Sequence, residues 1–270
     1  MSENKNIIGL VGSPNKDGLT NQLVTSALDG CHQAGATTEL IQMSDHIVNA
    51  CEDCLPWICK DELKCTYEDG GFEFLTEKIL NCSGIVFGTP VYWWDTSGMV
   101  KYFILKMFRV FAWSSPLNGI PALGVSIAGG TGNGLISGIR PVYHFLQMMQ
   151  MRPLEPVPAT RFNFDSCLKR SKELGNELTT MSKNHTPFER REAALELYDK
   201  LPYLGLSRLE ERRLLADLVT LALPENERLD SATGLAKADV LAAENRNLDS
   251  TSEISKVYSR GVRKLTELNS

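Results

Sequence analysis

Residues 5–20 read KNIIGLVGSPNKDGLT, and this stretch decides the fold. The largely apolar run of residues 5–11 predicts a buried strand that ends at Gly12. A short polar turn then leads into a helical pattern from about Leu19 to Ala34. A strand, a loop that contains glycine and a helix, in this order, form the first half of a parallel βαβ unit.

The same alternation continues to about residue 160. Further strands are predicted at 37–43, 84–88, 120–127 and 152–157. Further helices are predicted at about 72–81, 96–108 and 136–149. Because the inner strands are almost continuous apolar runs, they indicate a parallel sheet that helices cover on both faces. The sequence therefore predicts an α/β protein with a doubly wound, five-stranded parallel sheet.

The composition changes after residue 160. Residues 1–160 hold 10 Lys and Arg against 15 Asp and Glu, whereas residues 161–270 hold 18 of each kind and none of the four Trp. Helical patterns occur in this second part at 166–182, 187–201, 207–223, about 234–245 and 252–268. Helices with balanced charges are typical of a solvated helical unit. We therefore predict one domain at 1–165 and a C-terminal α-helical extension at 166–270.

Composition also excludes several classes of function. Neither part has the clustered basic excess that binding to phosphate backbones requires, so nucleic acid is not an expected partner. The sequence contains no long uncharged apolar stretch and no signal-peptide pattern, which predicts a cytoplasmic protein that does not enter a membrane. Seven Cys in a reducing compartment argue against a disulfide framework. No Ser-His-Asp arrangement or carboxylate pair favours a hydrolase.

Ligands of doubly wound sheets bind beyond the carboxyl ends of the strands, and three loops there are informative. Loop 12–20 places hydroxyl groups at a helix N-terminus, which favours a phosphate, although a simple helix cap has the same composition. Loop 89–98, TPVYWWDTSG, offers flat aromatic surfaces for a planar heterocycle or for a subunit contact. Loop 128–134, AGGTGNG, lets the backbone approach a ligand closely or forms a flexible turn.

The stretches GSPNKDGLT, TPVYWWDTSGMVKYF and AGGTGNG, in this order and spacing, resemble the NADPH-dependent FMN reductase family of flavodoxin-like proteins. The resemblance covers residues 5 to about 160 and implies noncovalently bound FMN. It implies that the FMN phosphate is held by Ser13, Asn15, Gly18, Thr20 and Asn21. It implies that the isoalloxazine ring lies against Pro90, Val91, Tyr92, Trp93, Gly129 and Gly130. The family usually has Arg in place of Asn15, so Lys16 or a partner chain would have to help neutralise the phosphate.

A cysteine-rich loop at 46–69 departs from this plain pattern. Cys51, Cys54, Cys59 and Cys65 give the spacing C-x2-C-x4-C-x5-C. Four thiolates on one loop meet the ligand requirement of a [4Fe–4S] cluster or of a tetrahedral zinc site. The cysteines resemble those of iron–sulfur flavoproteins, which typically have two residues rather than four between the second and third Cys. The alternatives are a zinc site or thiols that bind no metal.

These features together predict an FMN-dependent oxidoreductase or electron-transfer flavoprotein in which flavin N5, and no side chain, carries the chemistry. A [4Fe–4S] cluster would pass electrons to FMN from a donor such as ferredoxin. One alternative is a metal-free reductase of FMN or quinones that uses NAD(P)H. Another is a non-catalytic redox carrier or subunit that docks to a larger complex through the helical extension. The resemblance implies a homodimer or homotetramer, and truncation after about residue 165 is expected to leave FMN binding intact.

Overall fold

A computed structural model describes residues 5–54 and 57–268. Its strands are β1 (Asn6–Val11), β2 (Thr37–Gln42), β3 (Gly84–Pro90), β4 (Pro121–Ala128), β5 (Arg152–Pro153) and β6 (Val157–Thr160). All the pairings are parallel, in the order β2-β1-β3-β4-β5, with β6 also paired to β4. The predicted doubly wound parallel sheet is confirmed. The chain adds β2 on one side of β1 and β3 on the other, so the topological switch point of the sheet lies between β1 and β3.

The strands β5 and β6 both pair with β4 and together form the edge of the sheet beside it. β5 pairs with residues 121–122 of β4, and β6 pairs with residues 125–128. Pro153, Pro156 and Pro158 fall in and between the two pieces. Proline lacks the N–H that a ladder needs and is tolerated at sheet edges. The single strand predicted at 152–157 is therefore interrupted, and its pairing continues to Thr160.

The helices are α1 (Leu19–Gln33), α2 (Ile58–Glu62), α3 (Gly70–Leu80), α4 (Gly98–Phe111), α5 (Arg140–Met148), α6 (Phe164–Ser182), α7 (Arg191–Asp199), α8 (Arg208–Ala222), α9 (Arg228–Ala243) and α10 (Asn247–Leu268). One apolar core lies between the sheet and α3, α4 and α5. A second core lies between the opposite face of the sheet and α1 and α6. The strands β3 and β4 are buried along their whole length. This burial explains why the sequence shows them as continuous apolar runs.

Helix α6, which the sequence places in the extension, packs against α1. The Ser26 hydroxyl donates to the Leu168 carbonyl at 2.7 Å, and the Cys31 thiol donates to the Gly175 carbonyl at 3.2 Å. Leu174 and Leu178 of α6 belong to the core that α1 covers. The helix therefore forms part of the layer on this face of the sheet.

The remaining helices differ in how they contact the first part of the chain. Helix α7 places Tyr198 in the first core, where its hydroxyl donates to the Met151 carbonyl at 3.0 Å. Helices α8, α9 and α10 enclose a small apolar cluster of their own, composed of Ala216, Leu235, Ala238, Ile254 and Val257. The prediction that the C-terminal part of the chain is α-helical is thus confirmed. Within the described residues, no helix combines the length and the apolar character that crossing a bilayer requires.

Candidate functional site

The three loops identified in the sequence follow β1, β3 and β4, so they meet at the edge of the sheet formed by the carboxyl ends of its strands. The Gly12 amide donates to the Gly88 carbonyl at 2.8 Å, and the Ser97 hydroxyl donates to the Gly12 carbonyl at 2.6 Å. The Val91 amide donates to the Ile127 carbonyl at 2.9 Å. These hydrogen bonds join loop 89–98 to the loops on both sides, so the structure brings the predicted site segments together.

Loop 12–20 leaves the N-terminus of α1 available to an anion. Gly18 is the N-cap residue, no side chain caps the helix, and its first turn contains no acidic residue. Ser13 and Thr20 are buried beside it. The Ser13 hydroxyl accepts a hydrogen bond from the Asn15 amide at 3.2 Å, which holds the turn closed. Free amide groups and the positive end of the helix dipole suit a phosphate.

The two asparagines predicted to hold the phosphate have local partners. The Asn15 side chain accepts from the Asp17 amide at 3.1 Å, and the Asn21 side chain accepts from the Thr25 hydroxyl at 3.1 Å. Lys16 is exposed and forms an ion pair with Asp45 at 2.7 Å. The backbone of the loop is therefore better placed than these side chains to bind an anion.

Gly12 is needed because the loops approach closely at this position. A Cβ atom added there would lie 2.1 Å from Val100 Cγ2 and 2.9 Å from the Gly88 carbonyl oxygen. Any side chain would push α4 away from β1. The glycine at the end of the first strand therefore sets the distance between loop 12–20 and α4.

Loop 89–98 contains a tight turn at its tip. Tyr92 and Asp95 exchange two backbone hydrogen bonds of 2.8 and 3.1 Å, and the central residues Trp93 and Trp94 have φ values of 52° and 58°. Two positive φ values are typical of a type I′ turn, where Asn and Gly are preferred. Trp93 is 89% exposed and lies edge-on to Trp94. Large residues held in this strained conformation are characteristic of functional sites.

The residues predicted to contact the ring fall into two groups. Pro90 is buried at the end of β3, and Val91 packs against the segment around Gly138. Tyr92, Trp93, Gly129 and Gly130 are exposed at the edge of the sheet. A Cβ added at Gly129 or Gly130 would meet nothing within 4 Å, so space is open beside the glycine loop. The edge thus combines an anion site with an open, partly aromatic surface, and this combination fits FMN.

Gln42 is a site residue that sequence reasoning missed. Its side-chain amide donates to the Ser13 carbonyl, which anchors loop 12–20 to the end of β2. Its Oε1 atom is buried and has no hydrogen-bond partner within the described residues. A buried acceptor without a partner is costly, so Oε1 is a candidate contact for a ligand donor. No sequence signal identified it, because a single Gln at a strand end has no distinctive spacing.

Described residues of the cysteine-rich loop contact α4. Cys59 is buried in α2, and its thiol donates to the Arg109 carbonyl at 3.7 Å. The Cys54 thiol donates to the Thr66 hydroxyl at 3.6 Å. Burial raises the pKa of the Cys59 thiol, and the electrostatic influence of Cys54, Cys51 and Cys65 raises it further. The four predicted ligands lie on one loop, and the thiols of Cys54 and Cys59 have different partners.

These four thiols, all within the described residues, do not form a metal site in this conformation. Over residues 5–54 and 57–268, no group of three or more His, Cys, Asp or Glu side chains is arranged to hold a metal ion. The four cysteines would have to move closer together to bind a cluster. Leu55 and Pro56, which lie between the second and third Cys, are outside the described residues.

Arg109 and Trp57 form a contact beside these cysteines that the sequence did not indicate. The guanidinium carbon of Arg109 lies 4.5 Å from the centre of the Trp57 ring, and the same guanidinium pairs with Asp53. Its Nε and Nη1 atoms are buried without partners in the described part of the chain. The contact attaches the cysteine-rich loop to α4.

The sheet order β2-β1-β3-β4-β5 defines a flavodoxin-like protein, and loops 12–20, 89–98 and 128–134 lie at the carboxyl ends of its strands, where proteins of this fold bind their ligands. The sequence model of the NADPH-dependent FMN reductase family matches residues 6–160, and the chain belongs to this family. An iron–sulfur flavoprotein of Methanocaldococcus jannaschii is 35% identical over 127 residues, which cover 46% of this chain and 64% of that protein. A second iron–sulfur flavoprotein of this organism is 26% identical over 149 residues, or 55% of this chain and 74% of that protein.

Solved structures agree on the fold. A flavone reductase superposes with a TM-score of 0.53 at 16% identity, covering 66% of this chain and 63% of its own. An NAD(P)H:quinone oxidoreductase from Methanothermobacter marburgensis superposes with a TM-score of 0.50 at 15% identity, covering 65% and 98%. At this identity the likeness shows a shared flavodoxin-like architecture.

Proposed function

We propose that this protein is a flavin-dependent oxidoreductase that binds FMN noncovalently at the edge formed by loops 12–20, 89–98 and 128–134. The observation that carries the proposal is the uncapped N-terminus of α1, which lies in the same edge as the open surface beside Gly129 and Gly130. Membership of the NADPH-dependent FMN reductase family supports the same cofactor and supports NAD(P)H as a reducing substrate.

The residues of the chain would position the cofactor. The amide groups at the start of α1, with the hydroxyls of Ser13 and Thr20, would hold the phosphate. Tyr92 and Trp93 would bound the ring, and the Thr89–Thr96 hydroxyl contact would keep their loop in place. Bound FMN supplies hydride and single-electron transfer, and the protein contributes orientation and electrostatics.

Comparing FMN with riboflavin tests the phosphate site. Charge-assisted hydrogen bonds contribute about 1.5–3 kcal/mol each, so FMN should bind about 10- to 100-fold more tightly than riboflavin. Ser13→Ala should weaken FMN binding about tenfold and leave riboflavin binding unchanged, whereas Ser166→Ala, on the surface of α6, should change neither. Flavin fluorescence titration measures the affinities of the wild-type chain and of both variants for FMN and for riboflavin. Equal affinity of the wild-type chain for both flavins would contradict the proposal.

We further propose that Cys51, Cys54, Cys59 and Cys65 bind a [4Fe–4S] cluster when the loop contracts. The position of four cysteines on one loop supports this proposal, as do the names of the iron–sulfur flavoproteins that the chain resembles. Anaerobic purification followed by iron and sulfide determination should give about four of each per chain. Cys54→Ser should abolish the iron content. Cys167→Ser, which replaces a buried cysteine outside the loop, is the control and should preserve it. Flavin without iron would instead favour the metal-free NAD(P)H-dependent reductase.

The homo-oligomer predicted from the resemblance also becomes a proposal. Tyr102, Leu105 and Phe108 are exposed on α4 and continue into a groove against α5. An apolar surface of this kind is typical of an interface between proteins. We propose that a second copy of the chain covers it. Sedimentation equilibrium should report a dimer or tetramer for the wild-type chain and a monomer for Phe108→Glu. That a ferredoxin serves as the electron donor stays a prediction.

A further inference from the structure

Helix α10 contacts the glycine loop that borders the proposed flavin site, and α8 contacts the turn that follows this loop. The Glu211 carboxylate accepts hydrogen bonds from the Ile136 amide at 3.0 Å, the Ser137 amide at 3.4 Å and the Ser137 hydroxyl at 3.1 Å. The Tyr258 hydroxyl donates to the Thr131 carbonyl at 2.7 Å. Both contacts link residues that are more than 70 positions apart in the chain.

The glycine loop needs such external support. Gly130, Gly132 and Gly134 all have positive φ, and glycine gives a free chain many alternatives to this conformation. The Ile136 and Ser137 amides lie in the turn that follows this loop, before α5 begins at Arg140. Glu211 supplies the acceptor for these amides, and it is only 6% exposed. A buried carboxylate is stable there because backbone amides and a hydroxyl surround it, with Arg208 Nη1 3.7 Å away.

We propose that Glu211 is a positioning residue for the flavin site. It fixes the turn at Ile136 and Ser137, where the glycine loop ends, and Tyr258 holds Thr131 inside the loop, so that the exposed Gly129 and Gly130 keep their place at the proposed site. The helical extension is therefore part of the cofactor site and sets its affinity. This inference rests on the proposed function, since the glycine loop must face FMN.

The chemistry of the contact predicts different results for two substitutions. Both amides donate to the same oxygen, Oε1, which Glu211→Gln retains and Glu211→Ala removes. We expect Glu211→Ala to weaken FMN binding about tenfold, equivalent to about 1.4 kcal/mol. Glu211→Gln should stay within about threefold of wild type, because it keeps the acceptor for both amides and loses the charge and the second oxygen, which accepts from the Ser137 hydroxyl. Tyr258→Phe, which removes one partly exposed hydroxyl, should weaken binding about threefold.

Ser250→Ala is the matched control within the extension. The Ser250 hydroxyl donates to the Ala238 carbonyl at 2.8 Å and touches α9 but not the glycine loop. This variant should lower the melting temperature without changing FMN affinity. Hydrogen exchange, measured without flavin, should show faster exchange of the Ile136 and Ser137 amides in Glu211→Ala and unchanged exchange in Ser250→Ala.

Four measurements on the full-length chain decide between the outcomes: FMN affinity, riboflavin affinity, melting temperature and amide exchange. Wild-type FMN affinity in both Glu211→Ala and Tyr258→Phe would overturn this inference and leave the proposed function in place. An equal loss of affinity in Ser250→Ala would also overturn it, because general stability would then explain the effect. Failure of the wild-type chain to bind FMN would overturn the proposed function and this inference together.

Discussion

At the scale of single residues, the ion pair between Asp69 and Lys106 is the most buried charge contact in the described part of the chain. The two side chains are 1% and 5% exposed. Asp69 also accepts hydrogen bonds from the Asn49 amide at 2.9 Å and from the Phe72 amide at 3.1 Å. It therefore joins the two ends of the cysteine-rich loop to each other, caps α3 and attaches both to α4.

Removing either charge should be costly. Breaking a buried pair by removing one partner costs about 3–5 kcal/mol, because the other charge stays buried and uncompensated. We expect Asp69→Asn and Lys106→Met each to lower the free energy of unfolding by about this amount at pH 7. Urea denaturation followed by circular dichroism measures the loss. Lys60→Met, on the exposed side of α2, is the control and should change stability by less than about 0.5 kcal/mol.

The pH dependence of this effect has a definite sign. Burial raises the pKa of Asp69, but the hydrogen bonds from Lys106, Phe72 and Asn49 outweigh burial and bring the pKa below its ordinary value. A carboxyl with a lowered folded-state pKa stabilises the protein above its unfolded pKa, and this contribution disappears as the pH falls through the folded pKa. The difference in stability between wild type and Asp69→Asn should therefore be full at pH 6–7 and shrink below about pH 4. A constant difference down to pH 3 would contradict the assignment.

At the scale of secondary-structure elements, α1 and α6 cross with their backbones in close contact. A Cβ added at Gly30 would lie 1.9 Å from the Lys172 carbonyl oxygen, and one added at Gly175 would lie 1.9 Å from the Ala27 carbonyl oxygen. Backbone atoms cannot move aside as a flexible side chain can. The two glycines therefore set the distance between these helices.

Alanine at either glycine should separate the helices. Overpacking usually costs about 1–3 kcal/mol and more where backbone is in the way, so Gly30→Ala and Gly175→Ala should each cost about 3 kcal/mol or more. Gly70→Ala is the control, since it also lies in a helix and its Cβ would meet nothing within 4 Å. Thermal unfolding should show a lower melting temperature for the first two variants only. An unchanged value for Gly175→Ala would mean that the two helices are less tightly packed.

The elements also show what the sequence can and cannot predict. Strand β1 and helix α1 lie where residues 5–34 predicted them, because an apolar run, Gly12 and helical periodicity are all local signals. Helix α5 begins at Arg140 and not at Ile136. The amides of residues 136 and 137 bond to Glu211, and no local pattern reports a partner 75 residues away. Helix α2 has only five residues, too few for periodicity to reveal.

Part of the candidate site could likewise be predicted from the sequence, and part could not. Loops 12–20, 89–98 and 128–134 were predictable, because glycines and aromatic residues at strand ends have a physical meaning that the sequence carries. The direction of individual side chains was not predictable. Val91 faces Gly138 in place of the open edge, and Asn15 and Asn21 bond within their own segments. Whether the four cysteines hold a cluster depends on distances that spacing alone does not determine.

At the scale of the whole molecule, the change in charge near residue 160 and the packing of the chain mark different boundaries. The sequence prediction ends the first domain at residue 165, whereas α6 covers the sheet beyond that point and α7 buries Tyr198 in the first core. Arg140 Nε donates to the Leu204 carbonyl at 2.8 Å and attaches the segment after α7 to α5. The unit that can bury its core therefore extends to about residue 206, and α8–α10 follow as a separate layer against the glycine loop.

Two truncated chains distinguish these boundaries. Residues 1–165 lack α6 and leave the core beside α1 uncovered, and each buried Leu lost costs about 1.5–3 kcal/mol. We expect this chain to show no cooperative thermal transition and no FMN binding. Residues 1–206 retain both cores and should unfold cooperatively, with FMN binding weakened about tenfold because Glu211 and Tyr258 are absent. Calorimetry and flavin titration on both chains provide the test. If residues 1–165 bound FMN as tightly as the full chain, the extension would be independent of the flavin site, as its charge balance alone suggests.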